Sequence, residues 1–133
     1  MDAEQQQALD FLARLAAQPA VAFHEGNVAS AVGGILEEQG VGFREDVYGN
    51  IIARVSGLQP DCAPLALVAH MDHPGFEIVE ANGIQATART AGGVPAASLV
   101  KPTPVLVLLP DGDTISATTG RHQSTTDPAD RRA

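Results

Sequence analysis

The chain has 133 residues, of which 44% are apolar and 4% aromatic, as suits one aliphatic-cored domain or part of a larger one. Lys and Arg number 8 against 16 Asp and Glu, which gives a formal net charge of -8. This charge disfavours binding to nucleic acid and to anionic membrane surfaces, because both interactions need cationic side chains.

The N-terminal stretch MDAEQQQ is acidic and polar and has neither the cationic nor the apolar region of a signal peptide. No apolar run approaches the roughly 20 residues that a membrane-spanning helix needs. The one cysteine, Cys62, can form no internal disulfide and lies in a loop-like PDCAP stretch without a reactive-thiol motif. We expect a soluble, cytoplasmic protein in which Cys62 has no redox role.

A first helix is predicted over residues 2–18. Asp2 is a residue type that caps helix N-termini, and apolar residues recur at helical spacing, with Leu9 and Leu12 on one face. Pro19 interrupts the pattern and leads into a loop.

A second helix is predicted from about residue 26 to residue 39, because apolar residues between Val28 and Leu36 repeat at helical spacing. Gly40 is a natural C-terminal stop. Adjacent carboxylates such as Glu37 and Glu38 can serve as base and ligand in metal enzymes. At a helix end beside a glycine, a solvated surface is the simpler interpretation.

Short strands are predicted after the second helix. Two extended segments flank a turn at Tyr48-Gly49-Asn50. The unbroken apolar run PLALVAH, residues 64–70, is typical of a strand covered on both faces. FEIVEANG with IQATART, and TPVLVLLP with TISATTG, have hairpin signals between them. The order of elements predicts an α/β layer that passes into a β-rich segment.

The stretch LVAHMDHPGF, residues 67–76, contains the candidate chemistry. Residues two apart in a strand face the same way, so His70 and Asp72 are expected together at the carboxyl end of the predicted strand. A neutral imidazole is a ligand for zinc or cobalt, and a nearby carboxylate can orient it. A hydrogen-bonded structural pair would explain the same residues without a metal. His73 is expected on the opposite face, at the surface or behind the site.

Two strings in this sequence together resemble the N-terminal part of the dinuclear-zinc aminopeptidases. EDVYGNIIARVSG is similar to the family pattern of Asp, two variable residues, Gly-Asn and two apolar residues. LALVAHMDHPGFEIVEANG is similar to its Ala-His-Met-Asp segment followed by Gly-Phe, and Gly92-Gly93 to the pair that opens an inserted β domain. The closest group is the glutamyl and deblocking aminopeptidases that assemble as tetrahedral particles.

The resemblance implies a fold and a domain organisation. The fold would be α/β, a partial zinc-peptidase (phosphorylase/hydrolase-like) sheet layered with helices, running into the start of an inserted β-barrel domain. Residues 1–90 would be the N-terminal part of the catalytic α/β domain and residues 91–120 the opening strands of the inserted domain. Residues 121–133, which are polar and without periodicity, would form a disordered tail that contains an incidental His122.

The resemblance also implies an activity. His70 would ligate one of the two zinc or cobalt ions of the complete enzyme, and Asp72 would be the catalytic carboxylate that holds or polarises the site. The substrates would be peptides, cleaved at their amino ends, and the enzyme would be a homo-oligomer.

The sequence departs from the family in two respects. His73 and Pro74 stand where the family has an acidic and an apolar residue, a change expected in the pocket wall rather than in the metal ligand. The family's bridging aspartate, Glu-Glu pair and late histidine have no counterpart here, and Glu37-Glu38 precedes the His70 segment. Zinc normally takes three or more protein ligands. We therefore expect an N-terminal fragment or a truncated product, inactive alone.

Two other functions fit part of the sequence. Related co-catalytic metal dipeptidases and deacylases also use a His-x-Asp strand, usually without the Gly-Phe that follows here as Gly75-Phe76. A non-catalytic assembly module could retain the scaffold and lack the site, and the apolar-rich segment 94–119 is compatible with self-association.

Overall fold

The computed structural model describes residues 2–57 and 65–120. The chain divides into two compact units, of which unit 1 ends at His73 and unit 2 begins at Pro74. Over the described residues, two α-helices accompany three two-stranded antiparallel sheets, which confirms the mixed α/β composition. The predicted loop around Cys62 and the predicted tail with His122 lie outside these residues. The domain boundary near residue 90 stays a prediction.

Helix α1 spans Ala3–Ala16 and begins as the sequence predicts. The Asp2 carboxylate accepts a hydrogen bond from the Gln5 backbone N–H at 2.8 Å, and the Gln5 side-chain oxygen accepts one from the Asp2 N–H at 3.2 Å. This reciprocal capping box satisfies two N–H groups at a helix end, where backbone donors lack intrahelical partners. Among the described helices, none is both long and apolar enough for a membrane span.

Helix α2 spans Gly26–Glu38, and an ion pair joins it to α1. The guanidinium of Arg14 donates two hydrogen bonds to the Glu38 carboxylate, at 2.6 and 2.8 Å. These bonds hold the pKa of Glu38 below its ordinary value. Glu38 is therefore a surface ion-pair partner. The apolar residues of α1 are only partly covered, since Leu9 and Leu12 are exposed while Phe11 and Leu15 are half-buried. Apolar periodicity does not detect a contact that polar side chains make.

The apolar core of unit 1 is small and aliphatic. Among the described residues of the chain, Ala20, Val28 and Ile35 are the buried hydrophobic side chains. Two of them lie on α2, so this helix supplies most of the burial that holds the unit together.

Two short strands pack near α2. Strand β1 spans Phe43–Glu45 and pairs antiparallel with β2, Ile51–Ala53, around the predicted turn. A Cβ atom placed on Gly33 of α2 would lie 2.9 Å from Cζ of Phe43. The Phe43 ring therefore occupies a notch in the helix that the absent side chain leaves open.

This notch leads to a prediction about two neighbouring glycines. Gly34→Ala should stabilise the protein by about 0.5–1 kcal/mol, because alanine is the better helix former and its Cβ meets open space. Gly33→Ala has the same propensity gain but displaces the Phe43 ring, so we expect a net loss of about 1 kcal/mol. Urea unfolding followed by far-ultraviolet circular dichroism measures both. Equal stabilities of the two variants would contradict the packing of Phe43 on Gly33.

The strand predicted over residues 64–70 is not formed in the described part of this segment. Residues 65–72 have neither helix nor strand, and the side chains of Leu65, Leu67 and Val68 are exposed. A strand needs a neighbour to pair with its backbone N–H and C=O groups. The described strands pair within their own hairpins. The prediction was wrong because an apolar run has the composition of a buried strand but does not provide a neighbouring strand to pair with.

His73 connects the end of this segment to the loop before α2. Its backbone N–H donates to the carbonyl of Ala20 at 2.8 Å, and an isolated parallel bridge joins it to Val21. Its ring Nε2 lies 3.4 Å from the carbonyl oxygen of Gln18. These contacts give His73 a structural place in unit 1.

Unit 2 contains the two predicted hairpins. Strands β3 and β4 form the first and β5 and β6 the second, with bounds Gly75–Asn82, Gln85–Ala91, Pro104–Leu108 and Thr114–Thr118. A short 3-10 helix, Ala96–Leu99, lies between the hairpins in sequence.

The hairpin β3–β4 shows how local chemistry sets its shape. Gly83 in its turn has a φ of 61°, a conformation that glycine adopts without strain. The register shifts between Ile78 and Glu80, a β-bulge that breaks the alternation of the strand. Arg89 donates to Glu77 on the facing strand at 2.8 Å, a cross-strand pair of opposite charges.

Candidate functional site

A cleft of about 390 Å³ in unit 1 gathers side chains from three separate segments. The loop before α2 contributes Phe23 and Glu25, the β1–β2 turn contributes Tyr48, and the segment before His73 contributes His70 and Asp72. The sequence predicted the last pair. The other residues were missed as site residues because tertiary contacts bring them there.

His70 and Asp72 meet at this cleft. His70 Nδ1 lies 3.1 Å from Asp72 Oδ1, and the His70 side chain is 82% exposed while that of Asp72 is 33% exposed. The contact occupies Nδ1 and leaves Nε2 as the ring nitrogen available to a ligand. The predicted juxtaposition is observed, although residues 65–72 form no strand. The predicted roles, metal ligand for His70 and catalytic carboxylate for Asp72, stay predictions.

The described residues do not complete a metal site. Over residues 2–57 and 65–120, no group of three or more His, Cys, Asp and Glu side chains is placed to hold a metal ion. His70 with its carboxylate partner supplies one imidazole, whereas zinc sites normally have three or more protein ligands. This donor set therefore does not fit a dinuclear centre, and at most it provides one ligand of it.

The β1–β2 turn is built around the carboxylate of Asp46. Its Oδ1 accepts hydrogen bonds from the backbone N–H groups of Tyr48 and Asn50 at 2.9 and 3.0 Å, and its Oδ2 accepts from the Asn50 side chain at 2.9 Å. These bonds, the Asn50 side chain first, hold the pKa of Asp46 below its ordinary value. Gly49 adopts a φ of 85° within the turn.

The turn gives the Asp-x-x-Gly-Asn string a structural explanation. The aspartate supplies the acceptor, the glycine the left-handed backbone, and the asparagine two of the three donors. Tyr48, Gly49 and Asn50 all line the cleft. The string therefore shapes one wall of the cleft.

The loop before α2 contributes a strained residue, Phe23, to the lining of the cleft. Phe23 has a φ of 71°, and its backbone N–H donates to Oε1 of Glu25 at 2.8 Å. Phe23 is 91% exposed and Tyr48 is 87% exposed. Nothing in the sequence signals this conformation, because phenylalanine is among the residue types least expected at positive φ.

Comparison with known proteins leaves the family open. No family model matches the chain, and no solved structure matches it. The likeness to dinuclear-zinc aminopeptidases therefore rests on the two sequence strings, and what it implies is a proposal.

Proposed function

We propose that this chain carries the first part of the site of a metal-dependent aminopeptidase, an enzyme that removes N-terminal residues from peptides. The contact between His70 Nδ1 and Asp72 Oδ1, at 3.1 Å on a cleft, is the observation that carries the proposal. Metal-binding histidines usually donate their other ring N–H to a carboxylate or carbonyl, which fixes the tautomer. An exposed ion pair contributes little to the stability of a fold. A metal-binding role therefore explains the His70–Asp72 contact better than a purely structural role does.

The lining of the cleft supports a substrate with a free amino end. Glu25, Glu45 and Asp72 contribute carboxylates, and the described lining residues include no Lys or Arg. Carboxylates attract the positive charge of an α-ammonium group, which an N-acylated substrate lacks. This charge distribution favours an aminopeptidase over a deacylase. The finer parts of the proposal are a zinc or cobalt pair in the complete enzyme, a zinc-peptidase sheet and a homo-oligomer.

The first test is zinc binding. We expect wild-type protein to bind zinc weakly in isothermal titration calorimetry and His70→Ala to lose that binding, because the imidazole supplies the ligand nitrogen. Asp72→Asn should weaken it by about tenfold, since the partner of Nδ1–H orients the ring. His122→Ala is the control that removes a different histidine. Zinc affinity that is unchanged in His70→Ala would refute the proposed ligand.

Peptide hydrolysis is the second readout of the same proposal. The chain alone, with zinc or cobalt and aminoacyl anilides, should show no turnover, because the described residues offer an incomplete set of ligands. Turnover that His70→Ala abolishes would show that the chain is active by itself.

A non-catalytic assembly module is the second candidate function. The lack of a three-ligand cluster among the described residues favours it. So does β5–β6, where one strand reads Pro-Val-Leu-Val-Leu and Leu106 and Ile115 are exposed. A stable oligomer in analytical ultracentrifugation without zinc binding would support this candidate, whereas His70-dependent zinc binding would exclude it.

A further inference from the structure

We propose that Phe23 selects the first side chain of a bound peptide, and that Glu25 is the positioning residue that holds Phe23 in place. The inference rests on the proposed function, because it assumes that a peptide end occupies the cleft beside His70. The inference adds a preference for peptides whose first residue has an apolar side chain over peptides that begin with glycine. The family resemblance does not supply this preference.

The conformation of Phe23 is unfavourable in two ways. Its φ of 71° lies in the left-handed region, where a bulky side chain is strained. The residue is 91% exposed, so burial within the protein does not compensate for the strain. Strained residues of this kind persist where surrounding contacts hold them, and they concentrate at binding sites. Phe23 lines the same cleft as His70.

Glu25 holds this conformation through a hydrogen bond to the Phe23 backbone, whereas a helix-capping residue normally bonds to the first turn of its own helix. It is the N-cap of α2, yet its side chain makes no capping bond to that helix. Its Oε1 instead accepts the Phe23 backbone N–H at 2.8 Å. The N–H of His24 donates to the carbonyl of Val21 at 2.8 Å and closes the four-residue turn in which Phe23 is the third residue. Removing the Glu25 acceptor would leave the Phe23 conformation without this bond.

The chemistry of the cleft indicates what the ring contacts. Tyr48, 87% exposed, is a second aromatic residue in the same lining. Aromatic rings bury apolar side chains effectively, while the carboxylates favour the adjacent ammonium group. A peptide with leucine at its amino end could use both features, whereas glycine has no side chain for the rings to contact.

Tyr48 also supplies the measurement. The chain has one Tyr and no Trp, so tyrosine fluorescence reports on the cleft alone. The probes are leucinamide and glycinamide, which share the free amine and differ in the side chain. We expect wild-type protein to bind leucinamide about fivefold more tightly, as partial burial of a leucine side chain implies. Tyr48→Phe removes the signal and verifies its origin.

Three variants distinguish the role of the Phe23 ring from that of the backbone conformation that Glu25 holds. Phe23→Gly keeps the positive φ without strain and should fold, yet it should lose most of the preference for leucinamide, because only Tyr48 then remains for the leucine side chain to contact. Glu25→Ala keeps the ring and should also lose the preference for leucinamide. Glu25→Gln should restore the preference, because its amide oxygen can accept the same hydrogen bond. A role limited to stability would not produce this pattern.

The outcomes are separable from those of the zinc test, which does not involve Phe23. A leucinamide preference that is undiminished in Phe23→Gly overturns the selective role of the ring, and one that is undiminished in Glu25→Ala overturns the positioning role. Wild-type protein that binds zinc through His70 but does not distinguish the amides overturns the inference and leaves the proposed function standing. Zinc binding without His70 overturns the proposed function, even where Phe23 selects leucinamide.

Discussion

Ile35→Ala is expected to destabilise unit 1 by about 2–4 kcal/mol, the cost of removing a buried isoleucine side chain and leaving a cavity. Ile35 is 9% exposed and belongs to a buried core of three residues in the described part of the chain. Small domains have total stabilities of about 5–15 kcal/mol. A core this small has few other contacts to compensate, so the loss should be a large fraction of the stability of the unit.

The measurement is urea unfolding followed by the helical circular dichroism signal, because both α-helices belong to unit 1. Val55→Ala is the control in the same unit, since it also truncates a β-branched side chain to alanine, at a residue that is 77% exposed. The control should change the stability by no more than about 0.5 kcal/mol. Similar unfolding midpoints for the two variants would mean that α2 does not hold the unit through Ile35.

Asp46→Ala is expected to disorganise the β1–β2 turn, because it removes the acceptor of three hydrogen bonds at once. The backbone donors of Tyr48 and Asn50 would then bind water, and the turn would keep only its backbone bonds, from the Gly49 N–H to the Asp46 carbonyl and from the Asp46 N–H to the Asn50 carbonyl. Tyrosine fluorescence should change without ligand. Asp111→Ala is the control, because Asp111 accepts one hydrogen bond, from the backbone N–H of Asp113, in the turn of β5–β6.

The same carboxylate predicts a pH dependence with a definite sign. The pKa of Asp46 is lower in the folded chain than in the unfolded one, so its stabilisation is present above the unfolded value, about 3.9. It is lost as the pH falls through the folded value. Wild-type fluorescence should therefore change in acid, below about pH 4, whereas Asp46→Asn should show no such step. A step at the same pH in Asp46→Asn would assign it to another group.

Local chemistry made much of the fold predictable. The cap at Asp2, the stop at Gly40 and the turns at Gly49 and Gly83 each depend on residues close in sequence, and the structure contains all four. The strand predicted over residues 64–70 is not formed in its described part, residues 65–70, because strand formation does not depend on nearby residues alone. A strand forms only with a partner, and the partner is a property of the whole fold rather than of the run.

The candidate site likewise has a part that could be predicted from nearby residues and a part that depends on the whole fold. The predicted proximity of His70 and Asp72 is observed, although the strand from which it was predicted is not formed over the described residues 65–70. Phe23 and Tyr48 join them from other segments, through packing that periodicity and motifs do not report. The strained backbone of Phe23 runs against its residue type, and only the three-dimensional arrangement reveals it.

The exposed run that contains Leu65, Leu67 and Val68 has a consequence for handling the protein. These side chains are available for association in the folded state, so precipitation does not have to wait for unfolding. Electrostatic repulsion between chains of net charge -8 opposes that association near neutral pH. The repulsion vanishes near the isoelectric point, about 4.7, and salt screens it. Dilute, low-salt buffers at neutral pH are therefore the conditions in which single chains should persist.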